Sequence, residues 1–441
     1  MEKKNLYIRT YGCQMNFHDS ERMAGILETE GYSLTERPED ADLIILNTCS
    51  IREKAEHKFY SDLGRLRVVK KKNPEVKIGV SGCIAQQEGE RIFKKAPHVS
   101  LILGPQNLTS LSELIEVDRR SSLEDRPDYA KAEIPTRRLD NIKAWVSIMY
   151  GCNNFCSYCV VPYTRGRERS RPLTDIFREV EGLSQAGYKE VTLLGQNVNS
   201  YGRNLEDGTD FTELLYRLHD LKGIERIRFV TSHPKDFSER LIKAMKELPK
   251  LCEHMHLPLQ AGSDRILNLM NRGYTYRDYK EMADKLRSEI PDVAITTDII
   301  TGFPEETEED FEKTIVALRE IRFDGIFVFK YSKRPNTSAL LLPGHLQDEI
   351  KAERFSRVLD IQDYITLEKN RGIIGKNIEI LVEGKSKTDN DKMTGRTRTN
   401  KIVNFIGNIE SKGKIIMVKI SGTRHNSLDG EPLDFAQGKP L

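Results

Sequence analysis

Three closely spaced cysteines are the part of this sequence best suited to chemistry. Cys152, Cys156 and Cys159, here called the loop trio, lie within eight residues of one another. Three thiolates on one short loop can bind a 4Fe–4S cluster, which normally takes four protein ligands. No fourth cysteine follows nearby, so one iron would stay open to a ligand from outside the protein. Structural zinc is the alternative, but zinc completes its tetrahedron with a fourth protein ligand, and the next histidine is His219.

A second set of three cysteines is spread over the first part of the chain. Cys13, Cys49 and Cys83, here called the sheet trio, are separated by 36 and 34 residues, and each follows a short β-rich run. The chain has seven cysteines, an odd number that favours metal binding over a disulfide framework in a reducing compartment. The seventh, Cys252, stands alone and is typical of a small buried hydrophobic residue. We interpret the sheet trio as one set of metal ligands.

The elements around the sheet trio predict how its cysteines come together. Strand-like runs at 6–12, 42–48 and 76–82 alternate with helix-like stretches at 20–30 and 51–72. Such alternation is typical of a parallel sheet, whose carboxyl strand ends lie at one edge, where ligands usually bind. Because each cysteine directly follows one of these strands, the sequence predicts that the three converge at this edge.

The middle of the chain predicts a second domain of strands and helices. Six strands, with amphipathic helices such as 173–186 and 308–321 between them, indicate a partial (β/α)6 TIM-like barrel. The active site of such a barrel lies at its carboxyl strand ends. The predicted strands are 144–149, 189–194, 226–230, 253–257, 293–299 and 325–331.

The pattern changes after residue 370. Short strands separated by Gly-rich turns indicate a small antiparallel β-barrel of the oligonucleotide-binding type. These strands are 377–382, 391–399, 401–405 and 414–420. The fold class is therefore α/β with a terminal β-barrel. The expected domains are 1–120, 138–370 and 371–437, with a polar, Pro-containing linker after the first.

The composition limits the class of protein. Lys and Arg total 69 against 67 Asp and Glu, a net charge of +2, so nucleic-acid binding would need locally concentrated basic residues. No apolar run approaches the roughly 18–20 residues that cross a bilayer, and the N-terminus has no apolar stretch followed by a cleavage site. We therefore expect a cytoplasmic protein with no membrane partner, and we expect a monomer.

The spacing of the loop trio, with the aromatic Tyr158 before its last cysteine, resembles the signature of the radical S-adenosylmethionine (SAM) superfamily. The resemblance implies that the open iron chelates the amino and carboxylate groups of SAM, and that one-electron reduction then cleaves this cofactor. It also implies polar contacts to the cofactor from strand ends, and no conventional acid–base residue. The predicted SAM contacts are Tyr158, Gln196, Asn197, Ser232, Gln260 and Asp298.

Two cysteine trios, a linker and a terminal β-barrel together resemble the methylthiotransferase family, over essentially the whole chain. The resemblance implies an auxiliary 4Fe–4S cluster on Cys13, Cys49 and Cys83, whose open iron holds the sulfur that is methylated and transferred. It implies two roles for SAM, as radical source and as methyl donor. It also identifies the terminal barrel as an RNA-binding TRAM domain. The expected cofactors are therefore two 4Fe–4S clusters and SAM.

Local sequences favour one branch of that family. The run Tyr-Gly-Cys-Gln-Met-Asn at 11–16, and the runs 47–55 and 161–171, are similar to the bacterial tRNA 2-methylthio-N6-dimethylallyladenosine synthases. That branch inserts a methylthio group at C2 of N6-isopentenyladenosine, at position 37 next to the anticodon. One alternative is the branch that modifies an aspartate of a ribosomal protein, which usually has Leu-Gly-Cys-Pro-Lys-Asn at the first cysteine. The other is a non-enzymatic, zinc-bearing RNA-binding protein.

Basic residues are expected to bind the RNA. Guanidinium and ammonium groups bind phosphates, and a single-stranded anticodon loop lets a base enter a pocket without opening a duplex. The predicted tRNA contacts are Arg165, Arg167, Lys385, Lys387, Arg396 and Arg398. We expect the tRNA anticodon stem-loop and a flavodoxin-type electron donor as partners. The sequence does not indicate the sulfur donor.

Overall fold

The computed structural model describes residues 3–49, 53–387 and 389–433, without the side chains of 53–55. The motif at 47–55 and the predicted helix at 51–72 therefore lie partly outside the described residues, as does the end of the predicted domain 371–437. In the described part of the chain, no helix has the length and apolar character that crossing a membrane requires. The cytoplasmic location and the three domain boundaries stay predictions.

The described chain alternates strands with helices through most of its length. The strands are β1 (Lys4–Tyr11), β2 (Tyr32–Leu34), β3 (Leu43–Thr48), β4 (Lys77–Gly82), β5 (Leu101–Leu103), β6 (Arg120–Ser122), β7 (Lys143–Ser147), β8 (Met149–Tyr150), β9 (Arg169–Ser170), β10 (Glu190–Leu194), β11 (Arg226–Phe229), β12 (His254–His256), β13 (Ala294–Thr301), β14 (Gly325–Lys330), β15 (Asn377–Lys385), β16 (Met393–Thr397), β17 (Ile402–Phe405), β18 (Ile415–Thr423) and β19 (Leu428–Pro432). The helices are α1 (Gln14–Thr29), α2 (Glu53–Lys72), α3 (Cys83–Glu88), α4 (Arg91–Lys95), α5 (Leu111–Leu114), α6 (Val161–Thr164), α7 (Leu173–Gln185), α8 (Phe211–His219), α9 (Glu239–Glu247), α10 (Asp264–Leu269), α11 (Tyr276–Glu289), α12 (Glu308–Ile321) and α13 (Asp348–Arg371).

These elements are divided between two compact units. The first comprises Met1–Val180, Leu193–Asp210 and Ser332–Leu340. The second comprises Glu181–Thr192, Phe211–Tyr331 and Leu341–Leu441. Both cysteine trios belong to the first unit, whereas the terminal β-barrel belongs to the second.

The first unit contains a six-stranded parallel sheet in the order β2-β1-β3-β4-β5-β6. Every residue of β3 is buried, as expected for a parallel strand that is covered on both faces. The strands predicted at 6–12, 42–48 and 76–82 are confirmed as β1, β3 and β4. Strands β2, β5 and β6 were not predicted, because three residues are too few to show a strand period.

Helix α1 is more buried than its charges would suggest. It begins directly after Cys13, whereas the sequence indicated a helical stretch only from residue 20. Its buried polar side chains include His18, Asp19, Glu21 and Arg22. Buried charges are tolerated only when they are paired, and Arg138 Nη1 lies 3.0 Å from Glu21 Oε2. The buried charge of Glu21 on α1 is therefore paired with the segment that leads into β7.

The six strands predicted for the central barrel are confirmed as β7 and β10 to β14. In the first unit, Ile148 follows β7 and donates its backbone N–H to the carbonyl of Leu194, at the end of β10. In the second unit, β12, β13 and β14 form a parallel sheet. An isolated parallel bridge joins Ile227 of β11 to Leu251. The helices predicted at 173–186 and 308–321 are α7 and α12.

The terminal barrel is closed, with the strand order β15-β16-β17-β19-β18. It encloses a small apolar core that includes Ile380, Val403 and Phe405. The predicted small antiparallel barrel is confirmed for four of its strand pairs, whereas β17 and β19 pair in parallel. Strand β19 was not predicted, since its sequence Leu-Asp-Gly-Glu-Pro contains residues that are rare within strands.

Arginines fix the terminal barrel within the second unit. The fully buried Arg226 side chain donates at 2.7 Å to the carbonyl of Arg396 and at 2.7 Å to the carboxylate of Glu379. Arg228 donates to the carbonyl of Arg398 at 2.8 Å. Hydrogen bonds from charged donors are worth about 1.5–3 kcal/mol each. The end of β16 is therefore attached firmly to the start of β11.

Candidate functional site

The sheet trio lies at one edge of the six-stranded sheet. Its cysteines follow β1, β3 and β4, neighbouring strands whose ends are in register, with Tyr11 opposite Thr48 and Thr48 opposite Gly82. Strand order reverses between β1 and β3, which is where parallel α/β sheets usually bind ligands. The structure therefore brings the three cysteines together at the edge that the sequence predicted.

Hydrogen bonds between the three thiols place their sulfur atoms next to one another. Cys49 shares side-chain hydrogen bonds with Cys13 and with Cys83. These bonds lower the pKa of the Cys13 and Cys83 thiols, although burial acts in the opposite direction, and they raise the pKa of Cys49. A lowered pKa favours the thiolate, which is the form that binds metal. Among the described residues, no group of three or more His, Cys, Asp and Glu side chains has the geometry of an assembled metal site, so the trio supplies donors without a preformed coordination shell.

Gly12 allows Cys13 and Cys49 to approach each other. Its φ is +131°, and a Cβ at this position would collide with the Cβ of Cys49. A residue with a side chain would therefore push β1 away from the end of β3. The glycine before Cys13 has a steric role that makes convergence of the trio possible.

A buried ion pair lies beside the sheet trio. Arg165 Nη2 is 2.7 Å from Asp19 Oδ2, and the two side chains are only 5% and 2% exposed. After the hydrogen bonds from Cys49, the charge of Arg165 is the next influence that lowers the pKa of Cys13 and Cys83. This burial is at odds with the prediction that Arg165 contacts a tRNA phosphate. Asp19 was not predicted as a functional residue, because nothing in a polar helical stretch distinguishes a buried aspartate from an exposed one.

The loop trio lies between β8 and α6. Cys152 and Cys156 are buried and Cys159 is half-buried. The backbone N–H of Cys152 donates to the carbonyl of Gly166 at 3.2 Å, and that of Cys159 donates to the carbonyl of Cys156 at 2.9 Å. Tyr158, the predicted neighbour of the SAM adenine, is also half-buried. Backbone hydrogen bonds within residues 152–166 therefore fold the segment that carries these three sulfur donors.

Gly151 starts this loop at a φ of +73°, where a Cβ would overlap the carbonyl oxygen of Arg167. We expect Gly151→Ala to strain the loop by about 1–3 kcal/mol and to remove most of the iron that the loop trio binds. Iron per chain, measured in full-length protein whose sheet-trio cysteines are replaced by alanine, reports on the loop alone. Gly208→Ala is the matched control, because Gly208 has a φ of +74° with nothing near its missing Cβ. Equal iron in the two variants would contradict the steric account.

The predicted SAM contacts Gln196 and Asn197 lie in the same unit as the loop trio. They follow β10, whose last residue is hydrogen-bonded to the segment that leads into the loop. The Oε1 atom of Gln196 is buried and has no hydrogen-bond partner in the part of the chain that the structure describes. A buried carbonyl oxygen of this kind is costly unless a ligand or water satisfies it. The unpartnered oxygen of Gln196 therefore supports the prediction that a polar ligand binds at this strand end.

Three further predicted contacts meet in the second unit. Ser232 donates its backbone N–H to the carbonyl of His256 at 3.3 Å, and Gln260 donates to the carbonyl of Asp298 at 2.9 Å. The Asp298 carboxylate lies 3.5 Å from His256 Nε2. His256 was not predicted, although its alternation with His254 along β12 marks a polar face. The structure thus gathers these residues at neighbouring strands, while their contact with SAM stays a prediction.

The donor chemistry of both trios fits iron–sulfur clusters. Each set offers three cysteine sulfurs, which leave one iron of a 4Fe–4S cluster open. The unsatisfied Gln196 oxygen adds a polar group at the strand end beside the loop trio. Zinc would instead require a fourth protein ligand for each set.

Three of the predicted tRNA contacts are exposed. Arg167 has an exposed side chain whose guanidinium lies 4.4 Å from the centre of the Phe155 ring. Lys385 and Lys387 are exposed at the end of β15 and just beyond it. These three side chains present positive charge to solvent, as phosphate binding requires.

The other barrel arginines are held internally. Arg396 Nε lies 3.0 Å from Glu383 Oε1, and Arg398 Nη2 lies 2.7 Å from Glu253 Oε1. Both arginines are half-buried, whereas Lys385 and Lys387 are exposed. Their placement is at odds with the prediction that they contact phosphate, because Arg396 is paired with a residue of β15 within the barrel and Arg398 is paired with Glu253 outside it.

Three family models match this chain in succession. The model described as "Uncharacterized protein family UPF0004" matches residues 5–104, the Radical SAM superfamily matches 146–318, and the TRAM domain matches 373–433. The second match implies a 4Fe–4S cluster and SAM. The third match coincides with the closed terminal barrel.

Solved structures share this fold at low sequence identity. The radical SAM methyltransferase TsrM from Kitasatospora setae is 15% identical, with a TM-score of 0.55 over 77% of this chain and 75% of that chain. The cobalamin-dependent SAM radical enzyme OxsB is 15% identical, with a TM-score of 0.54 over 83% of this chain and 56% of that chain. At such identities the likeness shows a radical SAM fold and nothing about the substrate.

Curated relatives match over nearly the whole chain. One from Thermodesulfovibrio yellowstonii is 54% identical over 98% of this chain and 99% of its own length. Others from Thermoanaerobacter sp. and Carboxydothermus hydrogenoformans are 50% and 48% identical, over 97% and 98% of this chain and 93% and 99% of their own lengths. All three carry the name tRNA-2-methylthio-N(6)-dimethylallyladenosine synthase. This chain, with its two cysteine trios, radical SAM region and TRAM barrel, belongs to that family.

Proposed function

We propose that this protein is a tRNA methylthiotransferase that replaces hydrogen by a methylthio group at C2 of N6-isopentenyladenosine, at position 37 beside the anticodon. One SAM serves as the radical source and another as the methyl donor. The observation that carries the proposal is the presence of two separate cysteine trios in a chain about half identical, over nearly its full length, to synthases of this name. One trio would account for radical chemistry, and the second for sulfur.

The loop trio would hold the first 4Fe–4S cluster. Cys152, Cys156 and Cys159 supply its three thiolates, and Gln196 offers an unsatisfied carbonyl oxygen toward a polar ligand. When bound, the cluster and SAM supply one-electron chemistry strong enough to activate an aromatic C–H bond. The protein binds and orients these groups and holds the loop in one backbone conformation. No conventional general base is needed for this role.

The sheet trio would hold a second, auxiliary 4Fe–4S cluster. Cys49 and Cys83 are buried and Cys13 is half-buried, and hydrogen bonds with Cys49 lower the pKa of Cys13 and of Cys83. Three sulfur donors at one sheet edge would leave one iron open to an added sulfur ligand. Burial of this edge would keep water away from that ligand. This set of residues explains why the chain needs more than a radical SAM domain.

The exposed basic residues would bind the tRNA backbone near the anticodon. Arg167 lies just past the loop trio, and Lys385 and Lys387 lie on the terminal barrel. A base in the anticodon loop can be turned into a pocket at lower cost than a base in a duplex. A flavodoxin-type reductant, a monomeric state and the remaining SAM contacts are part of the same proposal.

Lys385 and Lys387 allow a direct test of RNA binding by the terminal barrel. We expect Lys385→Gln combined with Lys387→Gln to weaken tRNA binding. We also expect a salt dependence, log Kd against log salt, that is shallower by about 0.7–0.9 for each phosphate that the variant no longer neutralises. Fluorescence anisotropy across a series of KCl concentrations measures both effects. Lys243→Gln combined with Lys246→Gln is the control, since these exposed lysines lie on α9 of the same unit. An equal effect of the two pairs would mean that general charge, and not this surface, binds the RNA.

A substrate comparison tests the proposed function. The reconstituted full-length protein is incubated anaerobically with SAM and dithionite, and with one of three substrates: isopentenylated tRNA, the same tRNA without the isopentenyl group, or a ribosomal protein. Nucleosides and peptides are then analysed by mass spectrometry. The proposal expects a methylthio group only on the isopentenylated adenosine. A thiomethylated protein together with unmodified tRNA would instead favour the ribosomal-protein branch. The absence of product with every substrate would favour the remaining alternative, a zinc-bearing RNA-binding protein without enzymatic activity.

A further inference from the structure

Arg165 links the two cysteine trios. It lies six residues after Cys159 along the chain, yet its guanidinium is buried within hydrogen-bonding reach of Cys83 in the other trio. Asp19, its ion-pair partner, lies six residues after Cys13 on α1. The pair therefore joins a segment that leaves the loop trio to a helix that leaves the sheet trio.

The position of Arg165 is fixed at both its backbone and its side chain. Its backbone N–H donates to the carbonyl of Val161 at 2.8 Å, and its carbonyl accepts from the side-chain amide of Gln106. Its Nη2 donates to Asp19 at 2.7 Å. With so many partners, the guanidinium has little freedom to move away from the cysteines. Its burial also means that its charge is weakly screened by water.

We propose that Arg165 is a positioning residue of the sheet trio, where its buried positive charge favours the more reduced state of the cluster that Cys13, Cys49 and Cys83 would hold. The inference rests on the proposed function only in taking these cysteines as cluster ligands. It goes further by assigning the control of that cluster's reduction potential to a residue of the radical SAM region. Arg165 touches no substrate in this account, and it acts through Cys83.

Electrostatics sets the direction of the effect. Adding an electron to the cluster increases its negative charge, and a nearby cation in a medium of low dielectric constant stabilises the product of that step. Arg165, Asp19 and the neighbouring cysteines are among the groups that act most strongly on the Cys83 sulfur. Asp19, which accepts a hydrogen bond from Arg165 Nη2 at 2.7 Å, acts on the Cys83 sulfur with the opposite charge. Removing Arg165 and removing the charge of Asp19 should therefore shift the potential in opposite directions.

The test uses full-length protein with Cys152, Cys156 and Cys159 replaced by alanine, so that only the sheet trio can hold a cluster. The midpoint potential is measured by a redox titration followed by EPR, and iron and sulfide are measured on the same samples. We expect Arg165→Met to disfavour reduction by about tenfold, a shift of about 59 mV to lower potential for one electron. Arg165→Lys should restore most of this shift, and Asp19→Asn should raise the potential. Arg178→Met, which removes an exposed arginine paired with Glu133, is the control and should leave the potential unchanged.

Each outcome bears on a different part of the account. If the protein that lacks only the loop-trio cysteines contains no iron, the sheet trio holds no cluster, and the proposed function is refuted. A normal cluster whose potential is the same in Arg165→Met and in the control would overturn the inference alone. If Arg165→Met assembles no cluster, Asp19→Asn decides the matter, because an unchanged or lowered potential in that variant contradicts a charge effect. A purely structural role for the ion pair would not shift the potential in opposite directions.

Discussion

Replacement of Cys152, Cys156 or Cys159 by alanine is expected to abolish reductive cleavage of SAM, and with it every product of the reaction. Each substitution leaves only two thiolates, which are too few to hold a 4Fe–4S cluster with one iron open to the cofactor. The measurement is 5′-deoxyadenosine, quantified by mass spectrometry after anaerobic reconstitution with dithionite. Its level should fall to that of an enzyme-free sample in each of the three variants.

Cys252→Ala is the matched control for these substitutions. Cys252 is buried outside both trios, and burial raises the pKa of its thiol to about 11, so it has no tendency to act as a thiolate ligand. This variant should cleave SAM at the rate of the unchanged protein. Cleavage that survives the loss of Cys156 would show that the loop trio is not the radical site.

Alanine substitutions in the sheet trio are expected to separate two activities that the loop-trio substitutions remove together. Loss of Cys13, Cys49 or Cys83 should abolish methylthio transfer to tRNA, because no sulfur would then be held for insertion. Cleavage of SAM should continue, since the loop trio remains intact. Measuring 5′-deoxyadenosine and the methylthio nucleoside in the same reaction gives both values.

The opposite result would be informative as well. If SAM cleavage disappeared along with methylthio transfer, the two trios would not be functionally separate. If methylthio transfer continued, the sulfur would have to come from somewhere other than the sheet trio. Either result would contradict the division of roles between the two sets of cysteines.

The convergence of the sheet trio could be predicted from the sequence because it depends on topology. Parallel strands expose their carboxyl ends at one edge, so three cysteines that follow strands must lie close together if those strands are neighbours. The β-rich runs before Cys13, Cys49 and Cys83 were sufficient evidence of such strands. The hydrogen bonds of Cys49 with the other two thiols agree with this reasoning.

The location of Arg165 could not be predicted in the same way. An arginine in a cluster of arginines after a cysteine loop has the composition of a phosphate-binding segment, and Arg167, two residues later, is indeed exposed. Burial of Arg165 depends on a partner from α1, Asp19, which is 146 residues away in sequence. Long-range pairing of this kind leaves no local pattern.

The basic residues of the terminal barrel show the same limit. Lys385, Lys387, Arg396 and Arg398 contribute to one basic stretch of sequence, but only the lysines are exposed. Arg398 instead pairs with Glu253, which lies just before β12 and 145 residues earlier in the sequence. Charge density along a sequence predicts a binding surface only where the fold leaves those charges unpaired.

Iron and acid-labile sulfide per chain test the central claim, that two cysteine trios hold two clusters, most directly. The full-length protein, reconstituted anaerobically, should contain about eight irons with matching sulfide, because two 4Fe–4S clusters are expected. Replacing the cysteines of either trio by alanine should leave about four irons, and replacing both sets should leave none. About four irons in the unchanged protein, or one zinc without labile sulfide, would contradict the account.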